Sequence, residues 1–183
     1  MRLPIQSARL VLREMSGGDW RAIAAYNADP AFHRYLPIAP PDAEATRGFV
    51  ALCLARARET PRRHFDAVLQ ERGFGEIVGT LRLSLRSPGS GDLGYAIRPQ
   101  SWNLGFATEA VTTVLAAARE SLGLREVWAT VDPANLGSVR VMEKLGFARR
   151  TGATGAPIKE GRPPSLVFMR RLMPGAAVSE RAV

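Results

Sequence analysis

Apolar residues recur along this chain with two periods, and each change of period marks a change of element. The alternating run Leu10-Val11-Leu12-Arg13 predicts a strand within residues 3–15. Asp19 precedes Trp20, Ile23, Ala24 and Asn27 at helical spacing, which predicts a helix that Asp19 caps and that stops before Pro30. Residues 32–41 (FHRYLPIAPP) read as a loop or a short turn of helix. Asp42 then starts a longer helix with Ala45, Phe49, Leu52 and Arg56 on one face, ending before Pro61. From there the period shortens to two. Residues 65–70 form a short apolar strand, and Glu71-Arg72-Gly73 a hairpin turn. Residues 77–85 set Leu81, Leu83 and Leu85 against Arg82, Ser84 and Arg86. A turn at 87–91 leads into a strand at 93–97, so the middle of the chain is an antiparallel meander.

The helical period returns at residues 107–122, where Ala107, Ala110, Val111, Val114, Leu115, Ala118 and Leu122 make one apolar face. VWATV (127–131) reads as a buried strand, and 135–145 as a helix stopped by Gly146. Residues 149–161 read as a loop or loose hairpin, and 166–172 as a last strand. The fold class is α/β (α+β). One domain over 1–173 carries a mixed, mostly antiparallel twisted sheet of about six or seven strands flanked by about four helices. Residues 174–183 read as a flexible tail.

Composition narrows this picture. A chain of 183 residues, 46% hydrophobic and 23% charged, is long and apolar enough for one core. No stretch approaches the roughly 18 apolar residues of a membrane span. Arg2, Arg9 and Arg13 interrupt the first residues, unlike a signal peptide, so a cytoplasmic protein is expected. Cys53 is the only cysteine, and His33 and His64 are the only histidines, so no metal site is expected. Twenty-five basic residues against 17 acidic give +8, a field that favours anionic ligands. The arginines are scattered rather than striped, so nucleic acid is not the expected partner.

Two segments carry candidate chemistry. In GYAIRPQSWNLGFATEA (94–110) a strand runs through a short connection holding Gly105 into the clearest helix. Successive main-chain amides and the helix dipole converge there, which suits an anion without any lysine; the same glycine also suits a plain tight turn. In VDPANLGSVRVMEKLGF (131–147) Asn135, Ser138, Met142 and Leu145 share a helix face. Asn135 serves equally as a helix cap, and Ser138 as a donor to the carbonyl four residues back.

Together the segments resemble the GNAT N-acetyltransferases, in their RimJ/RimL-like branch. WNLGFATEA is similar to that branch's Trp-Gly-x-Gly-Tyr-Ala-x-Glu-Ala signature, and NLGSVRVMEKLGF to its Asn-x-x-Ser…Glu-Lys-x-Gly-Phe signature. The likeness runs from RLVLRE through DPAFHRYLP to the closing strand. It implies a V-shaped splay between strands 93–97 and 127–131 that takes acetyl-CoA as cosubstrate. The main chain of Ala96, Ile97 and Arg98 would pair with the pantetheine arm, and amides of Asn103, Leu104, Gly105, Phe106, Ala107 and Thr108 would hold the diphosphate. Asn135 would bond the pantetheine, and Ser138 would give a proton to the departing thiolate.

The acceptor implied is a primary amine, on a protein or peptide N-terminus or on a small molecule. A homodimer stays open. A CoA-binding regulatory domain without turnover is the alternative. This chain departs from the family pattern in three places. Met142 stands where many members have tyrosine, Asn103 replaces the first glycine, and Arg149-Arg150-Thr151-Gly152 lacks the glutamate of Rim-like relatives. Asp92 is then the candidate base, with Glu76 and His64 behind it. Glu109, in the first helical turn, is read as a partner of the helix dipole. Residues 26–35 and 151–164, with the arginine pair just before, would rim the acceptor groove with His33, Arg34, Arg149, Arg150, Lys159 and Arg162.

Overall fold

Eight strands and four α-helices follow one another in a computed structural model that describes residues 1–36, 42–155, 161 and 163–172, the side chain of residue 154 excepted. The strands are β1 (Ile5–Gln6), β2 (Leu10–Glu14), β3 (His64–Glu71), β4 (Ile77–Ser87), β5 (Ser90–Ile97), β6 (Glu126–Val131), β7 (Ala148–Gly155) and β8 (Ser165–Arg171). The helices are α1 (Trp20–Asn27), α2 (Ala43–Ala57), α3 (Phe106–Leu122) and α4 (Leu136–Lys144). All strands join one sheet in the order β1-β2-β3-β4-β5-β6-β8-β7. The strand count exceeds expectation because two residues at Ile5–Gln6 pair with β2, and because the segment after Phe147, read as a loop or loose hairpin, begins as β7. ARRTGATG has no alternation to announce a strand. It is ordered by pairing with β8 across an irregularity between Arg149 and Thr154. The expected tail lies outside the described residues.

One core packs beneath α3 and α4, and a second beneath α1 and α2. On α3, Phe106, Ala110, Val111, Val114, Leu115 and Ala118 are buried against Leu81, Leu83, Leu93 and Val127. Each large apolar side chain of this kind contributes roughly 1.5–3 kcal/mol. The second cluster joins Ile23 and Tyr26 of α1 and Val50 and Cys53 of α2 to Val68 and Ile77 of the sheet. Two sequence expectations are corrected here. The buried face of α2 is Thr46, Val50 and Cys53, while Phe49 and Leu52 are exposed. Asp19 precedes α1 without capping it; its carboxylate instead receives the Arg13 guanidinium at 2.8 and 2.9 Å and the Ser16 N–H at 2.6 Å.

One irregularity of the sheet positions the site. β5 pairs antiparallel with β4 along its whole length, from Ser90↔Ser87 to Ile97↔Gly79. With β6 it makes the only parallel pairing among the described residues, at Ser90↔Glu126, Gly91↔Val127 and Asp92↔Trp128. Beyond Trp128, β6 stays with β8 as far as Val131↔Leu166. Among the described residues the β6-facing edge of β5 from Leu93 to Ile97 therefore has no strand beside it, and the two strands open as a V.

Candidate functional site

The V opens into a cleft of 520 Å³. Tyr95, Ala96 and Ile97 of β5 form one wall, and the connection through Ser101, Trp102, Asn103 and Gly105 leads to Phe106, Ala107 and Thr108 of α3. Ala134 and Asn135 before α4, and Leu136, Gly137, Ser138, Arg140, Val141 and Lys144 on it, also line the cleft, as do Phe32, Tyr35 and Leu36. Of the residues expected to bind the cosubstrate, only Arg98 and Leu104 do not line it.

The start of α3 is built to present amides. Gly105 has φ 82° and ψ 2°, a left-handed conformation that costs a Cβ-bearing residue about 1–2 kcal/mol. It has no side chain to cap the helix, so the N–H groups of Phe106, Ala107 and Thr108 have no helical acceptor and remain available to an anion. Asn103, where the family signature has glycine, also has positive φ (61°), and asparagine tolerates that region better than other non-glycine residues.

Arg9, from the β1–β2 turn, straps this connection down. Its Nη1 donates to the Leu104 carbonyl at 2.9 Å, its Nε to Glu109 Oε2 at 2.7 Å, and its guanidinium lies 4.6 Å from the centre of the Phe106 ring. Glu109 Oε1 also accepts the Ser7 hydroxyl and the Arg9 N–H, both at 2.7 Å. Burial pushes the Glu109 carboxyl upward, but the bonds from Ser7 and Arg9 outweigh it and hold the group below its ordinary value. Glu109 thus clamps the start of α3 to the first strands, a role its place in the first helical turn did not disclose.

Along β5, hydrogen bonding alternates. The Arg98 N–H donates to the Val78 carbonyl at 2.8 Å, so the polar groups of Arg98 and Ala96 are turned to β4. Those of Tyr95 and Ile97 are turned to the opening. The Ile97 carbonyl already accepts Trp102 Nε1 at 2.7 Å. The Arg98 Nε donates to Ser101 Oγ at 2.9 Å, and its Nη2 to Glu76 Oε2 at 2.5 Å.

Across the cleft, Asn135 Oδ1 accepts the Ser138 N–H at 3.0 Å, so Asn135 does cap α4 while lining the cleft. Met142 is buried and does not line it. A phenol stands instead on β5, where Tyr95 lines the cleft. The Tyr95 hydroxyl is fully buried and makes no well-formed hydrogen bond. Burial pushes its pKa up, and the neighbouring Ser138 hydroxyl pulls it part of the way back. The sequence carried a signal for Tyr95: alternation from Leu93 puts Leu93, Tyr95 and Ile97 on one face, opposite Gly94 and Ala96.

None of the candidate bases reaches the cleft. Asp92 is ion-paired with Arg86, whose guanidinium lies over the Trp128 ring. Glu76 is held by Arg98 and lines a second cavity with Arg13 and Asp19. His64 Nδ1 is 3.0 Å from Ser84 Oγ. Among the described residues, the cleft lining contains no carboxylate and no imidazole. Of the expected basic rim, His33 is buried with Nε2 3.0 Å from the Asn27 carbonyl, and Lys159 and Arg162 lie outside the described residues. Cys53 is buried in the core, its thiol pushed up to about 12 by burial and then by Asp66. Among the described residues no cluster of His, Cys, Asp or Glu could hold a metal, and no helix is long and apolar enough to cross a membrane.

The chain has known relatives. It is 27% identical over 148 residues to the uncharacterized N-acetyltransferase p20 of Bacillus licheniformis, covering 79% of this chain and 82% of the relative. It is likewise 27% identical over 147 residues to YnaD of Bacillus subtilis, at the same coverages. Its fold matches RimJ of Mycobacterium smegmatis, solved with CoA-disulfide, at TM-score 0.78 and 21% identity over 93% of this chain and 90% of that one. It also matches the microcin C7 self-immunity acetyltransferase MccE, solved with acetyl-CoA and AMP, at TM-score 0.80 and 11% identity over 91% and 94%. Residues 9–148 match the family described as acetyltransferase (GNAT) domain, so the chain belongs to the GNAT acetyltransferases and is an acetyltransferase.

Proposed function

We propose that this protein moves an acetyl group from acetyl-CoA to a primary amine, as a cytoplasmic enzyme. The observation that carries the reading is the unpaired edge of β5 opening onto the uncapped amides of α3 within one cleft. The residues present fit the cosubstrate. The β5 edge at Tyr95 offers strand-like bonding to an amide-bearing arm, and Gly105, Phe106, Ala107 and Thr108 offer donors to a diphosphate. Arg9 and Glu109 fix those donors in advance, so little is spent on ordering them when the ligand arrives.

Acetyl-CoA supplies the activated thioester, and the chain's own residues arrange the transfer. The acceptor enters at the end formed by Phe32, Tyr35 and Leu36, and its neutral amine attacks the carbonyl carbon. Main-chain N–H groups on the open β5 edge are the donors at hand for the carbonyl oxygen as it gains charge. With no carboxylate or imidazole in the described lining, the amine's proton passes to water. As the carbon–sulfur bond breaks, the thiolate takes a proton from Ser138 Oγ, which is replenished by the buried Tyr95 hydroxyl; water then reprotonates the phenolate. Asn135 fixes the helix turn that presents Ser138.

The test is CoA release from acetyl-CoA across a panel of amino acids, peptides with free N-termini, and polyamines, with the product identified by mass. Release that depends on one amine class, with one acetyl group added to it, supports the reading. Release that no amine accelerates overturns it.

A further inference from the structure

On the face of the sheet turned to α1 and α2, one exposed cation is left without a close partner. Thr80, Arg82 and Ser84 of β4 share that face, because Leu81 and Leu83 between them are buried under α3. Neighbouring polar groups there are matched. His64 Nδ1 lies 3.0 Å from Ser84 Oγ, Asp92 pairs with Arg86, and Trp128 Nε1 donates to Glu126 Oε1 at 3.0 Å. Asp66, opposite Arg82 on β3, is buried and has two guanidiniums near it. Arg56 of α2 is the nearer, its Nη1 3.9 Å from Asp66 Oδ2. Arg82 is exposed, and makes no hydrogen bond, close ion pair or ring contact among the described residues. Its guanidinium reaches across the sheet to the opening of the V. Arg82 pairs with Gly94 in the β4–β5 register, and a Cβ at Gly94 would meet one neighbour among the described residues, Arg82 Nη2 at 4.0 Å. Ala96 lies on the same face about 7 Å further along β5, and it lines the cleft with Phe32, Tyr35 and Leu36.

We propose that Arg82 is a specificity-determining residue that binds a carboxylate on the acceptor, so that the preferred substrates are primary amines carrying a carboxylate a few bonds from the nitrogen. This rests on the acetyl-transfer reading above. An amine placed at the open edge of β5 beside Ala96 sets the rest of a small acceptor over Gly94, where the missing side chain leaves room and the guanidinium is at hand. A guanidinium takes a carboxylate through two parallel N–H···O bonds, stronger than neutral ones and fixed in direction. One buried carboxylate, Asp66, cannot neutralise both Arg56 and Arg82, so this patch keeps a positive charge for a ligand. The described cleft lining offers no carboxylate to a second ammonium group, which disfavours polyamines at the same position.

The experiment is steady-state acetylation of amines offered in pairs, by the native enzyme and by Arg82→Gln. One member of each pair carries a carboxylate and the other the matching amide: amino acids beside amino-acid amides, and peptides with aspartate or asparagine at the second position. Each rate is referred to the concentration of neutral amine. The native enzyme should favour the carboxylate members about tenfold in kcat/KM, the worth of one charge-assisted contact at an exposed site. Arg82→Gln should lose that preference through a rise in KM for the carboxylate members. Its KM for acetyl-CoA should stay within about twofold, which shows that the variant is folded. A native enzyme indifferent to the carboxylate, or one that favours the amides, overturns the proposal, as does a preference that survives in Arg82→Gln. CoA release that no amine of either kind accelerates overturns the acetyl-transfer reading itself, and the proposal with it.

Discussion

Replacing Tyr95 by phenylalanine separates catalysis from stability, because the two effects have opposite signs. The hydroxyl is buried without a well-formed hydrogen bond, and such a group costs about 1–3 kcal/mol relative to one that is satisfied. The neighbouring Ser138 hydroxyl recovers part of that, so Tyr95→Phe should stabilise the fold by about 1 kcal/mol. For a chain of this length that raises Tm by about 2–4 °C. The same change removes the group that replenishes Ser138. Proton donation of this kind contributes roughly 100- to 10,000-fold, and with Ser138 and water still present the low end applies, a fall in kcat of about 100-fold. KM for acetyl-CoA should stay within about twofold. Because the two hydroxyls act in series, Tyr95→Phe/Ser138→Ala should be little slower than the slower single variant. Scanning calorimetry with steady-state kinetics reads all of this. A Tyr95→Phe enzyme with native kcat, or one that loses stability and activity together, refutes the reasoning.

The connection before α3 and its clamp give further tests. Gly105→Ala should cost about 1–2 kcal/mol of left-handed strain and, as the amides shift to relieve it, raise KM for acetyl-CoA several-fold; Asn103→Gly at φ 61° should leave both quantities near native. Glu109→Gln should lower stability by about 1–2 kcal/mol near neutral pH in urea unfolding, the half-exposed Arg9 keeping the loss at the low end. Since folding lowers the Glu109 pKa, its contribution is present above the unfolded value and is lost as pH falls through the folded one. The gap between native and variant should therefore close below about pH 4, and a gap that persists there excludes the clamp. With no base in the described lining, kcat/KM should rise with pH along the acceptor amine's own titration and show no inflection from a carboxylate or histidine.

Much of this was legible in the sequence where local pattern and tertiary role coincide. Phe106–Leu122 announces its buried face because one stripe is apolar and the other is not, and Gly105 and Gly123 mark its ends. The face of α2 was misread because AEATRGFVALCLARA is apolar nearly all round, so Phe49 and Val50 fit a stripe equally well. β7 was legible only as a loop or loose hairpin because its order comes from β8 rather than from its own residues. For the site, the motif located the amides, but proximity between distant segments left no trace in spacing. Arg9 meets Glu109 across a hundred positions, Tyr95 meets Ser138 across forty-three, and Asp92 is drawn away by Arg86. A carboxylate near a strand end looks like a base until its neighbours are known.

The most direct measurement is an amide-resolved NMR titration with CoA. The largest shifts are predicted at the N–H groups of Phe106, Ala107 and Thr108 and at Tyr95, with Arg13, Asp19 and Glu76 around the second cavity unmoved. Shifts centred on that second cavity, or spread evenly over the basic surface, would contradict the account.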